Sequence, residues 1–183
     1  MANIHTFIMS DNMVLSNIRQ ANADDAVKIA NLFVAATERM INDGIHQWNF
    51  TYPLLTHVQE DIKNGSAFVC LVGEEIAGTI TLDRNQDRQY KEIHWHHYSQ
   101  NVLVIHRLAV HPYFQGMGIG KKLCFFADKY GLENGFDCIR LDAYSLNHAS
   151  NKLYLSTGFE KANGYCYFHK NVIPFYCFDK KLI

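Results

Sequence analysis

What this chain lacks narrows it quickly. Its 17 Lys and Arg against 18 Asp and Glu leave no excess of either sign, so the electrostatic field that draws proteins to nucleic acid is missing. No apolar run reaches the ~20 residues of a membrane-spanning helix. The opening Met1–Ser10 has neither the basic start nor the sustained apolar core of a secretory leader. These absences point to the cytoplasm, with neither nucleic acid nor membrane as partner. Five cysteines (Cys70, Cys124, Cys138, Cys166 and Cys177) are odd in number and contain no C-x-x-C pair. They are expected to stay reduced and pack as small apolar groups. Proline is scarce at three residues, and no repeat, linker or low-complexity tract divides the chain. A length of 183 residues suits one domain over 1–183, able to bury roughly 70% of its unfolded surface in one core. Residues 1–14 show no period and read as a loose N-terminal extension.

What is present centres on Gln115-Gly116-Met117-Gly118-Ile119-Gly120, followed at once by Lys121-Lys122. Before it, Val102 to Val110 is dense in β-branched and apolar residues, the pattern of a buried strand. After it, Ile119, Leu123, Phe126, Ala127 and Tyr130 repeat on one helical face. A glycine loop thus opens onto a helix N-terminus, where bare backbone amides and the helix dipole favour an anion. A phosphate or pyrophosphate is the natural guest. The Walker pattern fails, because Gln115 replaces its first glycine and Lys122 its magnesium-holding Ser or Thr. The dinucleotide fingerprint fails as well, with Leu123 where Gly or Ala belongs. The pattern that fits is Q/R-x-x-G-x-G/A, carried by Gln115, Gly118 and Gly120.

Around this centre the periodicities give a coarse map. Leu15–Gln20 reads as a strand, Asn22 to Asp25 as capping chemistry for a helix broken at Asn42-Asp43-Gly44. Thr56-x-x-Gln59 reads as a capping box. Residues 67–72 and 76–82 form a hairpin, 138–144 a strand, 147–157 a helix, and 165–169 with 175–180 a closing pair. The order β-α-α-β-β-β-α-β-α-β-β makes a mixed α/β fold, mostly antiparallel and flanked by helices. Between helices, Ile45 to Pro53 is rich in amides and aromatics, and Trp48 either pins the loop to the core or walls an acceptor pocket. In the polar stretch 83–100, His94-Trp95-His96-His97-Tyr98 lacks converging ligands, so no metal is expected.

A second motif is Asn147-His148-Ala149-Ser150-Asn151-Lys152-Leu153-Tyr154-Leu155-Ser156-Thr157-Gly158-Phe159. At helical spacing Asn147, Asn151 and Tyr154 share one face, with Ala149 and Leu153 opposite. A solvent face explains the asparagines but not a tyrosine in line with them. With Ser150 as a small-for-small departure, this resembles the N-x-x-A-x-x-L-Y-x-x-x-G-F pattern of the GNAT family of N-acetyltransferases. The glycine loop and the element order resemble that family too, over roughly Leu15 to Lys181.

The resemblance implies acetyl-CoA as co-substrate. The strand edge at Leu108, Ala109 and Val110 would pair with the pantetheine arm. Gln115, Gly116, Met117, Gly118, Ile119 and Gly120 would hold the pyrophosphate, with Lys121 or Lys122 at the 3′-phosphate. Asn147 and Asn151 would contact the arm, and Tyr154 would sit by the sulfur as general acid. Its phenol, near ~10, is expected to pass its proton fully to a thiolate whose acid is near ~8.5, a transfer taken as favourable by about 1.5 units. A primary amine would attack the acetyl carbonyl in a ternary complex, with the oxyanion met by amides beside Leu108 to Val110. Glu92, His94 and His106 stand as candidate bases, and Trp48, His94 and His106 as acceptor-binding residues. No cysteine lies in either motif, which disfavours a covalent acetyl-cysteine route. The expected acceptor is a small-molecule amine. A protein or peptide acceptor, a non-catalytic acyl-CoA sensor and a homodimer are left open.

Overall fold

The computed structural model describes residues 17–168 and 172–182. The expected 1–14 extension, Leu15 and His169 lie outside the described residues. The element order is the expected one: β1 (Asn17–Gln20), α1 (Ala26–Asn42), α2 (Leu55–Lys63), β2 (Ala67–Val72), β3 (Glu75–Asp83), β4 (Val102–Val110), α3 (Ile119–Glu133), β5 (Cys138–Tyr144), α4 (His148–Ser156), β6 (Glu160–Cys166) and β7 (Phe175–Lys181). They build one sheet in the order β1-β2-β3-β4-β5-β7-β6, antiparallel throughout except at β4–β5.

Alternation along the strands sends side chains to two cores. On one face Ile80, Leu82, Leu103, Ile139 and Leu141 meet Leu123 and Ala127 of α3 and Tyr154 of α4. On the other, Ile29, Leu32 and Phe33 of α1 and Val58 of α2 cover Val69 and Ile76. The same side continues past β4, where Tyr90 and Trp95 of the 83–100 stretch pack on Val104, Tyr144 and Cys177. That stretch is therefore part of the core, tied down by a short 3₁₀ turn at Arg88–Glu92. His96 Nδ1 and the His97 amide both bond the fully buried Asp179 carboxylate, at 3.0 and 2.7 Å.

Local capping is partly as expected. Asn22 accepts from the Asp24 amide and Asp25 accepts from the Asn22 amide, closing a capping box ahead of α1. The box expected at Thr56 does not form, because α2 already begins at Leu55. Instead the His57 ring accepts from the Leu54 amide at 3.0 Å.

Two irregularities position the site. The β4–β5 ladder holds only three pairs, ending at Val104↔Arg140. Beyond it the two central strands part, and the edge of β4 from Ile105 onward has no ladder partner on β5. The second is a bulge: Thr81 pairs His106 and Thr79 pairs Ala109, so Arg107 and Leu108 share the span of one β3 residue. Arg107 pays for this with φ +46, rare for a non-glycine. Its guanidinium is held by both Asp61 oxygens at 2.9 and 2.6 Å and by Tyr52 Oη at 3.2 Å, which anchors the bulge to α2.

Candidate active site

The glycine loop stands at the end of β4 and delivers the chain into α3. Gly116 and Gly118 take φ +81 and +77, conformations that disfavour any side chain, and Gly118 is the cap of α3. A Cβ on either would meet nothing within 4 Å, so these residues are glycine for backbone shape and the space beside them is open. The first intrahelical bond runs from Lys122 N to Gly118 O. The amides of Gly116, Gly118, Ile119, Gly120 and Lys121 donate to no other described group. Orphan donors of a helix start, beside the open space at Gly116 and Gly118, suit an anion.

This loop opens into a cavity of about 980 Å³ that runs through the gap between β4 and β5 to the α1 side of the sheet. That is the upper end of small-molecule sites. Its far end is lined by Trp48, Tyr52, Tyr90, His106, Asp142 and Phe175, among others.

His106 contacts two acceptors through Nε2, Asp83 Oδ1 at 3.0 Å and Asn85 O at 3.1 Å. Two acceptors on one nitrogen place the hydrogen on Nε2, so in the neutral ring Nδ1 carries the lone pair. Nδ1 bonds no described group and is not sealed in the interior, and the residue lines the cavity. Burial works against the Asp83 carboxylate, yet His106 and two bonds from Asn85 outweigh it and hold its pKa below the ordinary value. An anion behind a histidine both orients the ring and supports a positive charge on it.

Across the gap, Asp142 is the one acid of the strand Cys138–Tyr144, flanked by buried Leu141 and Ala143. It accepts from Tyr90 Oη at 2.8 Å. Burial raises the Asp142 pKa despite that bond, and burial with the nearby Asp142 pushes the Tyr90 phenol well above its ordinary value. Tyr90 is thus the fixed donor of the pair.

A family model described as acetyltransferase (GNAT) family matches residues 29–159. The chain belongs to that family. It resembles the N-acetyltransferase YesJ of Bacillus subtilis, 26% identical over 155 residues that span 81% of this chain and 86% of that one. An acetyltransferase structure from Staphylococcus aureus shows a TM-score of 0.70 at 28% identity, covering 91% of this chain and 99% of that one. An acetyltransferase from Salmonella typhimurium, solved with its cofactor acetyl-CoA, shares the fold at TM-score 0.69 and 16% identity, over 92% and 94% of the two chains. As a GNAT protein with N-acetyltransferase relatives, the chain is an acyltransferase.

The GNAT fold gathers most of the residues singled out from sequence. Leu108, Ala109, Val110, Gln115, Gly116, Gly118, Ile119, Gly120, Lys121, Asn147, Tyr154, Trp48 and His106 all line the cavity. Three do not. Met117 points outward, 48% exposed, at the crest of the loop. His94 is exposed on the far side of the Tyr90 turn, its backbone bridged to Asn163; the exposed Glu92 lies outside the cavity with it. Asn151 turns inward, its Nδ2 donating to Tyr144 O and Ser145 O at 3.3 and 3.0 Å, so it ties the β5–α4 turn together.

The polar face expected on α4 is corrected accordingly. Asn147 is the cap, accepting from Ser150 N at 3.1 Å and donating to Gln47 Oε1 at 2.8 Å. The helix shows the cavity Ala149, Ser150, Leu153 and Tyr154 instead. Trp48 meets Phe33 edge-on at 5.4 Å, which pins its loop to the core, and it also lines the cavity. Sequence reasoning missed Tyr90, Arg107 and Asp142. For Asp142 a signal existed, an acid amid Ile139, Leu141 and Ala143. The Cys124 thiol is fully buried and its pKa is pushed up to about 12, chiefly by that burial, so it is no nucleophile. Among the described residues no group of His, Cys, Asp and Glu converges as a metal site, and no helix is long and apolar enough to cross a membrane.

Proposed function

We propose that this GNAT enzyme moves the acetyl group of acetyl-CoA to a primary amine of a small molecule, by direct attack in a ternary complex. One observation carries the reading: a single cavity joins five unbonded amides at the α3 start to an accessible, carboxylate-backed histidine nitrogen. Acetyl-CoA fits the first end. The amides of Gly116, Gly118, Ile119, Gly120 and Lys121 would take the pyrophosphate, with the Lys121 ammonium beside them. The unpartnered edge of β4 at Leu108 and Val110 offers backbone groups to the amides of the pantetheine arm. The co-substrate supplies an activated acetyl thioester.

The protein's own residues do the rest. An alkylammonium must lose a proton before its nitrogen is a nucleophile, since its pKa stands near ~10.4. His106 Nδ1 receives that proton, and Asp83 stabilises the resulting charge through Nε2. Of the three bases considered from sequence, His106 alone lines the cavity. Backbone amides at the bulge, beside Leu108, meet the oxygen that becomes negative. Tyr154 closes the cavity floor by the sulfur position.

The deciding experiment mixes the protein with acetyl-CoA and a panel of small primary amines, N-terminal peptides and lysine peptides, and follows release of CoA. Small amines are expected to give turnover. Turnover on peptides alone would make the acceptor a protein, and acetyl-CoA binding without turnover on any acceptor would make the chain a sensor. In the same assay His106→Ala should lose about 10²–10⁴-fold in kcat, keep its acetyl-CoA affinity within a few-fold, and regain part of its rate with imidazole in the buffer. Wild-type kcat, or a loss that imidazole does not touch, removes His106 from the proton's path.

A further inference from the structure

Resting on the amine-acetylation reading, we propose that Asp142 is the docking point for the acceptor's ammonium, and that the acceptor is an arylalkylamine or similarly compact apolar amine. The parallel register of β4 and β5 ends at Val104↔Arg140. Carried two residues further, it sets His106 and Asp142 on the same face, one on each side of the gap. Tyr90 fixes Asp142 Oδ1, and Tyr90 is itself braced: Trp95 Nε1 donates to its carbonyl at 2.9 Å and the two rings meet at 5.0 Å. The other oxygen, Oδ2, bonds no described group and is not sealed from the cavity.

Every other acid around this end is occupied or outside. Asp43 holds Arg39 at 2.8 Å, Asp61 holds Arg107 at 2.6 Å, and Asp83 holds His106 at 3.0 Å. Asp87 is solvent-exposed and caps its own turn through the Gln89 amide. Among the described acids that line the cavity, Asp43, Asp87 and Asp142, only Asp142 is half-buried, with a neutral phenol for a partner. An anion so placed is costly until a cation joins it. The raised Asp142 pKa is that cost, and an ammonium at Oδ2 removes it. The ammonium then lies beside the histidine that takes its proton.

The rest of the acceptor is read from the walls. Trp48, Tyr52, Phe168 and Phe175 line both the main cavity and a recess of about 120 Å³ that opens from it. The recess is also lined by His46, Gln47 and Asn49 and is smaller than the ~150 Å³ that admits a benzene ring, so it takes a short or polar end of the acceptor, and a ring rests against the aromatic walls of the main cavity. Asp142 is the one described lining carboxylate withdrawn from solvent, and with aromatic walls beyond it the site favours one charge on an apolar body over a chain of several ammonium groups.

The test compares phenethylamine, putrescine and phenylhydrazine, the last being neutral at the assay pH, as acceptors for wild type and Asp142→Asn. Asparagine keeps an acceptor for Tyr90 and removes the charge. Wild type should prefer phenethylamine to putrescine in kcat/KM. In the variant the KM ratio of phenethylamine to phenylhydrazine should rise roughly 10- to 100-fold, the worth of a charged hydrogen bond. An unchanged ratio, or a wild-type preference for the diamine, overturns the assignment. Should Asp142→Asn fail to fold, wild type alone decides: phenethylammonium competition against an acceptor should exceed that of 2-phenylethanol by a similar factor, and equal competition rejects the charge contact. Absence of turnover with every amine, in a protein that binds acetyl-CoA, instead fails the parent reading.

Discussion

Gly118→Asp should fold and lose acetyl-CoA binding by at least about 10²-fold. The fold tolerates it because a Cβ at Gly118 meets nothing within 4 Å. Aspartate also enters the left-handed region more readily than most residues, though φ +77 still costs roughly 1–2 kcal/mol. Binding fails because the new carboxylate enters the space that the α3 amides face, where it accepts from those donors itself and repels a phosphate. Two charge-assisted hydrogen bonds lost, at about 1.5–3 kcal/mol each, give the factor. Gly118→Asn separates the causes, having the same backbone tolerance and no charge; it should bind more weakly than wild type and far better than the aspartate. Calorimetry that finds wild-type affinity in a folded Gly118→Asp protein would falsify the assignment of this loop to the pyrophosphate.

The glycine loop was legible because its requirement is local: two positive φ angles within three residues demand glycine wherever they occur. Element order was legible for a similar reason, each period being written within one short segment. The acceptor end was not. Tyr90 and Asp142 lie 52 residues apart and meet only because β5 and the 83–100 stretch pack on the same side of the sheet. The bulge at Arg107 leaves no sign in sequence, since its strain sits on an arginine and is held by Asp61 from another helix. On α4 the helical wheel misled because Asn147 is a cap at φ −85, ψ 78 and not a helical residue, which shifts the face that meets the cavity. Within the histidine run 94–98 only the acceptor role expected of His94 finds no place, since His94 is exposed away from the cavity, while Trp95 beside it buries the segment and His96 serves Asp179.

Tyr154→Phe should lower kcat by about 10²-fold while acetyl-CoA affinity stays nearly unchanged. The ring is 6% exposed and packs against Phe159 and Phe178, both with centroids 5.8 Å away, so phenylalanine preserves the packing. The hydroxyl bonds no described group and is open to the cavity, so its removal orphans nothing. What it does for the reaction follows from the direction of proton transfer. A phenol near ~10 giving its proton to a thiolate whose acid is near ~8.5 runs uphill by about 1.5 units. Burial first, then the nearby Cys124 and Asp142, raise the Tyr154 pKa further and steepen that slope. Complete donation is therefore disfavoured, and the role expected of a free acid is corrected to that of a hydrogen-bond donor. In the proposed reaction the phenol would stabilise negative charge as the C–S bond breaks, with solvent completing the protonation. That argues for the low end of the 10²–10⁴-fold range for general acids. It also sets a signature: a donor that stays protonated far above neutrality adds no alkaline limb to kcat. A stable Tyr154→Phe protein turning over near the wild-type kcat would assign the ring to the core alone and leave water to meet the thiolate.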